Sequence, residues 1–257
     1  MRASLKSYLF LQLAAMLILT VACSREASQD QSVRTTSEGG STTAPPSADV
    51  AKRDKALIRV VNAIPSNPAV DAFAGDSRTF FNVAYKSVTP YVEIADDFQK
   101  LTLKPSGQSE LLAENNESFS EGKHYTLLAL PPAARDEKPE IRVIPDDLVP
   151  VTNGKARVRV INASPDAGEL DIYTMNNAEK LFAGVNFKSE AGYTEINPTT
   201  TVVEVRPEGK KEALLMLPQF SFESNKTYTI VVMGNAAGKH LDAITVEDQL
   251  TPSYAQR

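Results

Sequence analysis

The 257-residue sequence contains a single cysteine, two histidines and no tryptophan. One cysteine cannot form a disulfide within the chain, and it excludes a zinc site built from several thiolates. The net charge is −5, and the absence of a lysine- and arginine-rich patch disfavours nucleic acid and anionic lipid as partners. No phosphate-binding loop, dinucleotide fingerprint, Gly-x-Ser-x-Gly motif or EF-hand loop occurs. We therefore expect no cofactor and no metal.

The one long apolar run lies near the N-terminus, from residue 8 to residue 21. At about 14 residues it is shorter than the roughly 20 that a transmembrane helix needs, but it fits the apolar part of a secretory signal. The segment that follows, Leu19-Thr20-Val21-Ala22-Cys23, resembles a bacterial lipobox. We expect residues 1–22 to be a lipoprotein signal peptide and Cys23 to carry palmitate and further acyl chains, which anchor a protein stably. An ordinary signal peptide with an incidental thiol is the alternative.

Residues 23–55 are rich in Ser, Thr, Gln, Gly and Pro, and they contain no aromatic residue. Such a segment cannot bury enough apolar surface to offset the entropy lost on ordering, which predicts a disordered tether. Ser24 follows the cysteine, and by resemblance to enterobacterial lipoproteins the absence of Asp there indicates the outer membrane. The expected location is the bacterial cell envelope, with the membrane as a partner through the N-terminal lipid.

A pattern then occurs twice. The first copy is Arg59-Val60-Val61-Asn62-Ala63-Ile64-Pro65, followed by Val70-Asp71-Ala72-Phe73. The second copy is Arg159-Val160-Ile161-Asn162-Ala163-Ser164-Pro165, followed by Leu170-Asp171-Ile172-Tyr173. Later segments also match, with small insertions: Tyr85-Lys86-Ser87 with Phe187-Lys188-Ser189, Tyr91-Val92-Glu93-Ile94 with Tyr193-Thr194-Glu195-Ile196, and Tyr125-Thr126-Leu127 with Tyr228-Thr229-Ile230. The pattern indicates two copies of one domain.

Short alternating apolar segments separated by Pro, Gly and Asn turns predict an all-β fold. Val158 and Val160 share one strand face with Asn162, while Arg157 and Arg159 occupy the other face, which we expect to face solvent. We predict two tandem antiparallel immunoglobulin-like β-sandwiches. The predicted boundaries are 56–149 for the first domain, 150–155 for a short linker, 156–251 for the second domain and 252–257 for a tail.

Residues 56–250 resemble the bacterial domain-of-unknown-function family 4397. The resemblance rests on the Arg-Val-x-Asn-Ala-x-Pro start, the Asp-x-[Phe/Tyr] that follows, the [Tyr/Phe]-Lys-Ser and Tyr-x-Glu-Ile segments, and the late Tyr-Thr-[Leu/Ile] strand. It implies β-sandwiches in cell-envelope proteins with no agreed activity, and it supplies no catalytic residue. The first copy departs at Ile64 and in the turn after Pro65, so its first turn is expected to differ in shape.

The recurring polar residues of the motif are expected to be structural. Asn62 and Asn162 lie on apolar strand faces, where a buried amide needs partners, and capping of the turn beside Pro65 or Pro165 would supply them. A ligand contact is the alternative. Ion pairs are predicted between Arg59 and Asp71, between Arg159 and Asp171, and between Lys86 or Lys188 and the nearby Glu93 or Glu195.

No set of residues indicates catalysis. His124 and His240 occupy non-equivalent positions, so a shared zinc site is not expected. The adjacent carboxylates Asp96-Asp97 and Asp146-Asp147 make poor acid/base pairs, since neighbouring strand residues point to opposite faces. They are interpreted as solvated turn charges. The predicted function is a non-catalytic binding, adhesion or structural module whose partner is an envelope protein or polysaccharide. Loops 131–139 and 234–240 differ most between the copies and are the predicted contacts. The alternative is a glycan hydrolase with Asp or Glu in the interdomain cleft.

The lipid anchor makes a direct prediction. Replacement of Cys23 by Ser should abolish incorporation of labelled palmitate and leave an uncleaved precursor, because acylation requires the thiol. Palmitate labelling and membrane fractionation measure both effects. A Ser24→Ala variant is the matched control and should label normally, whereas equal labelling of the Cys23→Ser protein would disprove the assignment.

Overall fold

The computed structural model describes residues 55–66, 69–151, 153–175 and 179–248. The predicted signal peptide, Cys23, nearly all of the tether and the C-terminal tail lie outside the described residues. Within the described part, the regular structure consists of β-strands, and no helix there is long and apolar enough to cross a membrane. The all-β prediction is confirmed.

The strands fall into two consecutive sets, which we call module 1 (β1–β8) and module 2 (β9–β18). Module 1 contains β1 Lys55–Asn62, β2 Ala69–Ala74, β3 Ser77–Ala84, β4 Val92–Ala95, β5 Phe98–Pro105, β6 Ala113–Ser118, β7 His124–Leu130 and β8 Glu140–Asp146. Module 2 contains β9 Ala156–Asn162, β10 Leu170–Thr174, β11 Glu179–Val185, β12 Glu190–Ile196, β13 Thr199–Thr201, β14 Val203–Pro207, β15 Leu215–Met216, β16 Phe220–Phe222, β17 Thr227–Asn235 and β18 His240–Asp248.

The two modules have the same topology. Module 1 has sheets of order β4-β1-β7-β8 and β3-β2-β5-β6, and module 2 has β12-β9-β17-β18 and β11-β10-β14-β15. The additional β13–β16 pair forms a separate two-stranded sheet. It corresponds to the first part of the β5–β6 pairing in module 1, because Thr200 opposite Ser221 matches Phe98 opposite Ser118. The repeat seen in the sequence is therefore a repeat of strand order and register.

The prediction of purely antiparallel sheets is wrong. The first strand of each module lies parallel to its neighbour near the end of the module, with Ile58 opposite Tyr125 in β1 and β7, and Val158 opposite Tyr228 in β9 and β17. Five strands lie between β1 and β7, and seven lie between β9 and β17, so the chain can return in the same direction, which a tight hairpin cannot do. The first two strands of each module also lie in different sheets, whereas an immunoglobulin constant domain places its first two in one sheet.

Each module buries its own apolar core between its two sheets, and a third cluster joins the modules. Alternation along β1 and β9 turns Ile58, Val60, Val158 and Val160 into these two cores. The opposite faces are also buried, so the expectation of a solvent-facing side is wrong. The third cluster contains Val61, Ala63, Leu128, Leu130 and Ile144 of module 1 with Ile161, Ala163, Val231 and Met233 of module 2.

The two repeated asparagines fix the turn after the first strand of each module. Asn62 Oδ1 accepts a hydrogen bond from Ile64 N, and Asn162 Oδ1 accepts one from Ser164 N, each 3.0 Å long. The amide nitrogen of Asn62 donates to Val83 O at 3.0 Å, and that of Asn162 donates to Gly168 O and Val185 O, both at 3.0 Å. These contacts satisfy fully buried amides with backbone groups.

The Lys-Ser segment of the repeat closes onto the same asparagines. Lys86 N donates to Asn62 O at 2.9 Å, and Asn62 N donates to Ser87 O at 3.2 Å. Lys188 and Ser189 make the same pair of bonds with Asn162, at 2.9 and 3.0 Å. Lys86 and Lys188 have φ angles of 62° and 65°, in the left-handed region. A backbone turn therefore explains why the motif recurs.

The asparagine caps predict a loss of stability. Asn162→Ala should lower the free energy of unfolding by about 2–4 kcal/mol, because one amide and two carbonyls lose their buried partner. Asn62→Ala removes the equivalent cap of module 1 and should also destabilise the chain. Urea unfolding of the full chain measures both. Asn186→Ala is the control, since that side chain is exposed and makes only a 3.4 Å bond to Gly184 O; equal losses at all three positions would refute the capping argument.

Candidate functional site

The modules meet through two equivalent sets of polar side chains. In module 1, Thr126 Oγ1 donates to Asp146 at 2.8 Å, and Tyr91 Oη donates to the same carboxylate at 2.6 Å. Arg59 Nε donates to Thr126 Oγ1 at 2.9 Å. Module 2 repeats this arrangement with Thr229, Tyr193, Asp248 and Arg159.

The guanidinium groups cross the junction. Arg59 Nη2 of module 1 donates to Asp248 Oδ1 of module 2 at 2.6 Å, and Arg159 Nη2 of module 2 donates to Asp146 Oδ1 of module 1. Arg59 also lies 4.9 Å from the Tyr91 ring centroid, and Arg159 lies 4.7 Å from that of Tyr193. Each arginine binds the aspartate of the other module. Exchanging the two modules therefore exchanges the two contacts, as in the two-fold interface of a homodimer. We call these eight residues the reciprocal clamp.

Burial sets the electrostatics of the clamp. The carboxylates of Asp146 and Asp248 are completely buried, and the two guanidinium side chains are nearly so. Burial, and then the charge of Asp146, raises the pKa of Tyr91 well above the ordinary value of 10.0; burial and Asp248 do the same for Tyr193. Burial, the largest single influence, would lower the pKa of Arg59, but the neighbouring acidic groups, Asp248 first and then Tyr91 and Asp146, together outweigh it and raise the pKa. The clamp therefore holds neutral tyrosines and charged arginines.

The predicted arginine–aspartate pairs within each copy are wrong. Arg59 and Arg159 bind the carboxylates of the opposite module, whereas Asp71 binds Arg78 at 3.1 Å and Asp171 binds Lys180 at 2.7 Å. Strand alternation explains the error, because β1 and β2 lie in different sheets and the arginines point away from β2.

Asp71 and Asp171 organise the turns of the second sheet. Asp71 accepts hydrogen bonds from Asn82 N at 2.8 Å and from Ser106 Oγ at 3.0 Å, in addition to Arg78. Asp171 accepts from Gly184 N at 3.1 Å and from Gly209 N at 3.2 Å. Burial alone would raise both pKa values, but these hydrogen bonds together hold them below the ordinary value. Neither carboxylate faces a reactive group among the described residues.

The interpretation of Asp146 as a solvated turn charge is also wrong. Its side chain is fully buried in the clamp, while Asp147 beside it is exposed and binds Arg157 at 3.1 Å. Asp96 and Asp97 are exposed, as expected. Asp146 and Asp248, the carboxylates that converge at the junction, are thus buried in ion pairs with arginines. They do not line an open cleft of the kind that glycoside hydrolysis requires.

The rim of the junction repeats the exchange at the surface. Lys86 Nζ of module 1 lies 2.5 Å from Asp242 of module 2, and Lys188 Nζ of module 2 lies 2.8 Å from Glu140 of module 1. The predicted pairing of these lysines with Glu93 and Glu195 is replaced by contacts between the modules. A kink at positive φ directs each lysine outward from its turn.

The spacing of the repeat carries a signal for the clamp. Asp146 and Asp248 are separated by the same interval, 102 residues, as Tyr91 and Tyr193. A carboxylate that keeps the spacing of a tyrosine across a repeat is a candidate for a shared contact. Thr126 and Thr229 lie inside the repeated Tyr-Thr segment and belong to the same network.

A second feature lies on the outer face of the sheet β3-β2-β5-β6. Val70, Ala72 and Leu103 point into the core, so Phe73, Arg78 and Lys104 point outward. Arg78 is opposite Phe73 in the register and lies 4.2 Å from the Phe81 ring centroid, while Lys104 Nζ lies 4.8 Å from that of Phe73. We call the four residues Phe81, Arg78, Phe73 and Lys104 the ring-and-cation band.

Module 2 has an equivalent band with one ring fewer. Tyr173 replaces Phe73, with Arg206 at 4.2 Å and Lys180 at 5.4 Å from its ring centroid. Ala183 occupies the position of Phe81. Phe81 follows Phe80, which pairs with Ala72 of β2, and Ala183 follows Phe182, which pairs with Ile172 of β10. Both modules therefore share one aromatic ring, Phe73 or Tyr173, with a cation on either side.

Module 1 exposes two large aromatic side chains that module 2 lacks. Phe81 is 60% exposed and Phe98 is 61% exposed. Their equivalents in module 2 are Ala183 and Thr200, so the same strand positions fold without a ring. Phe98 precedes Thr102, the β5 partner of Phe73, by four residues, or about 13 Å along the strand. The exposed rings therefore continue the band diagonally across the sheet.

A polar cleft of about 380 Å³ opens in module 2 beside the β10–β11 hairpin and the connection from β12 to β13. Lys155 Nζ donates to Asn197 Oδ1 at 2.6 Å along its wall, and Glu195 and Leu181 also line it. The repeated Tyr-x-Glu-Ile segment thus contributes Tyr193 to the clamp and Glu195 to this cleft. Neither loop 131–139 nor loop 234–240 lines it.

The histidines are separately placed. His124 begins β7, half-buried, with its ring centroid 5.0 Å from that of Tyr91. His240 is the exposed first residue of β18, and was expected in the preceding loop. Across the described ranges, no group of three or more His, Cys, Asp or Glu side chains is placed to hold a metal ion.

Residues 56–173 match the family model described as Domain of unknown function (DUF4397). This match covers all of the first module and the start of the second, where β9 and β10 repeat the motif. No curated protein matches the chain.

Several solved structures are similar at low scores. The C-terminal domain of AlgF from P. aeruginosa is 25% identical, with 37% of this chain and all of that chain covered and a TM-score of 0.30. A streptococcal virulence factor that binds alpha-glucan is 10% identical over 78% of this chain and 99% of that one, with a TM-score of 0.23. Family 41 carbohydrate-binding modules from streptococcal virulence factors are 10% identical over 70% and 98%, with a TM-score of 0.24. At these scores the similarities assign neither a topology nor a ligand.

The reciprocal clamp predicts a strong dependence of stability on one buried carboxylate. Asp248→Ala should lower the free energy of unfolding by about 3–5 kcal/mol, because Arg59 loses its closest counter-charge in a buried site. Urea unfolding of the full chain measures the loss. An Arg59→Met/Asp248→Leu double variant should recover most of it, since it buries no unpaired charge.

Asp242→Ala is the matched control, because it also breaks an ion pair between the modules. That pair is exposed on both sides, so the unfolding midpoint should barely move. If Asp242→Ala and Asp248→Ala shifted the midpoint equally, burial could not be the source of the clamp's strength.

The raised tyrosine pKa values predict weakening at alkaline pH. The folded-state pKa values of Tyr91 and Tyr193 exceed the ordinary value of 10.0, so their contribution to stability is complete below pH 10 and is lost as the pH rises above it. Two such groups steepen the decline by about 2.7 kcal/mol per pH unit. Urea unfolding in a pH series measures the slope. Tyr91→Phe should halve this contribution, and an unchanged slope would contradict the assignment.

Proposed function

We propose that this protein is a lipid-anchored, non-catalytic binding protein of the bacterial cell envelope whose ligand is an envelope polysaccharide. The proposal takes Cys23 as the lipidated residue, residues 23–55 as the tether and the outer membrane as the location. The second-sheet face of each module, and that of module 1 above all, is the binding surface.

The exposure of Phe81 and Phe98 carries this proposal. A ring left in water on a sheet face gives up the free energy that burial would provide, about 1.5–3 kcal/mol for a phenylalanine. Ala183 and Thr200 occupy the equivalent positions of module 2, so the fold does not require rings there. Aromatic faces stack on the apolar faces of sugar rings, and the neighbouring Arg78 and Lys104 offer hydrogen-bond donors.

The shape of the surface favours a polymer over a small ligand. The band crosses three strands, and Phe98 extends it along β5, which gives an open and elongated face. An extended chain can contact such a face at several points, each of modest strength, and the second module offers another face on the same molecule. Glycan hydrolysis gains no support, because Asp146 and Asp248 are buried in ion pairs.

Polysaccharide binding should depend on the exposed rings. Phe81→Ala and Phe98→Ala should each weaken binding of the detergent-solubilised full chain to purified envelope polysaccharide by about tenfold, the loss of one well-packed aromatic contact. Affinity electrophoresis in gels containing the polysaccharide measures the shift.

Two further variants sharpen this experiment. Val149→Ala truncates another exposed apolar side chain, 48% exposed, away from the band and should bind normally. Ala183→Phe supplies module 2 with the missing ring and should strengthen binding. The proposed function would be disproved if the wild-type protein did not bind the polysaccharide. It would also be disproved if the Phe81→Ala/Phe98→Ala double variant bound as tightly as the wild type.

A further inference from the structure

The charges around the exposed rings specify the ligand further, and this step rests on the proposed function. Two of the band cations, Arg78 and Lys180, are each held above a buried carboxylate. The Arg78 side chain is 47% exposed while its partner Asp71 is 6% exposed, and Lys180 is 40% exposed above the fully buried Asp171. A ligand approaching the sheet therefore meets the cation and not the anion.

The donors of Arg78 are only partly used. Within the part of the chain that the structure describes, its hydrogen bond to Asp71 uses Nη1 alone. A guanidinium has five N–H donors in a planar fork, which suits the two oxygens of a carboxylate. Its plane already lies against the Phe81 ring, so a sugar ring resting on Phe81 would bring a ring substituent beside these donors.

The same combination occurs in module 2. Lys180 and Arg206 flank Tyr173, and Arg206 is itself held by Glu204 at 2.6 Å. In module 2 both cations are paired with carboxylates, Lys180 with Asp171 and Arg206 with Glu204, and Glu208 and Glu169 lie close to them. In module 1, among the described residues, Arg78 is paired with Asp71, whereas Lys104 contacts the Phe73 ring and no carboxylate. The excess of positive charge, which attracts anionic ligands within about a Debye length, therefore lies on the band of module 1.

From these contacts we propose that the ring-and-cation bands bind an acidic polysaccharide whose sugar rings carry carboxylates. The rings of Phe81, Phe73 and Tyr173 contact the sugar faces. Arg78 and Lys104 in module 1 contact the carboxylates, so module 1 carries the main site. The band of module 2 gives the same polymer a second, weaker contact.

The test compares polymers that differ only in charge. Polygalacturonate and its fully methyl-esterified form have the same ring skeleton, and the detergent-solubilised full chain is titrated against each at low and high salt. We expect binding to polygalacturonate at least about tenfold tighter than to the ester, and weakening as salt rises. Equal binding to both polymers would overturn the acidic ligand while leaving the proposed polysaccharide function in place.

Protein variants identify the residues. An Arg78→Gln/Lys104→Gln variant should lose about tenfold in affinity for polygalacturonate and little for the ester. Lys210→Gln/Lys211→Gln removes the same charge from an exposed connection between β14 and β15 and should bind normally. Thermal melting confirms that both variants fold. Equal losses in the two variants would mean that net charge alone drives binding, and would overturn the assignment to the band.

A last arm separates the polymer classes. Polyuridylate has anionic groups and aromatic bases but no sugar carboxylate. Binding to polyuridylate as tight as to polygalacturonate would overturn the carboxylate-specific proposal. Retention of the purified envelope polysaccharide, measured separately, decides the broader function whatever these polymers do.

Discussion

Two arginines that each bind a carboxylate of the other module hold this structure together. Arg59 and Asp248 form one pair, Arg159 and Asp146 the other, and both lie in a buried junction flanked by tyrosines. Charges are costly to bury, and each group here is compensated by an ion pair and by further hydrogen bonds from Thr126, Thr229 and the tyrosine hydroxyls. The apolar cluster beside them supplies burial, while the clamp adds two directed ion pairs between the modules.

The clamp has a consequence for where ligands can bind. Because the first sheet of each module packs on the other module, the second sheets keep open faces within the part of the chain that the structure describes. Those faces carry the ring-and-cation bands. Docking through one sheet thus leaves two equivalent surfaces free, and the exposed Phe81 and Phe98 distinguish the surface of module 1 from that of module 2. The junction is the stable frame, and the opposite faces are where the copies have diverged.

Duplication explains why motif residues that resemble a site are structural. Asn62 and Asn162 fix a turn, the Lys-Ser segments close onto them, and Asp71 and Asp171 tie together the loops of the second sheet. These residues recur because the same backbone must be built twice. Residues that differ between equivalent positions, such as Phe81 and Ala183, are not needed to build that backbone. They are therefore the better guide to where a ligand binds.

The sequence by itself determined the all-β class, the twofold repeat and the polar turns, because alternation, turn residues and recurrence are local properties of the chain. It could not determine that β1 and β7 run parallel, or that the face bearing Arg59 is buried. Asp146 looked solvated beside Asp147, and only tertiary packing placed it between two arginines. Pairing between strands distant in the sequence, and docking between modules, depend on which surfaces meet in space. A repeat in the sequence does not specify which surfaces of the two copies will pack together, because that depends on how each copy folds.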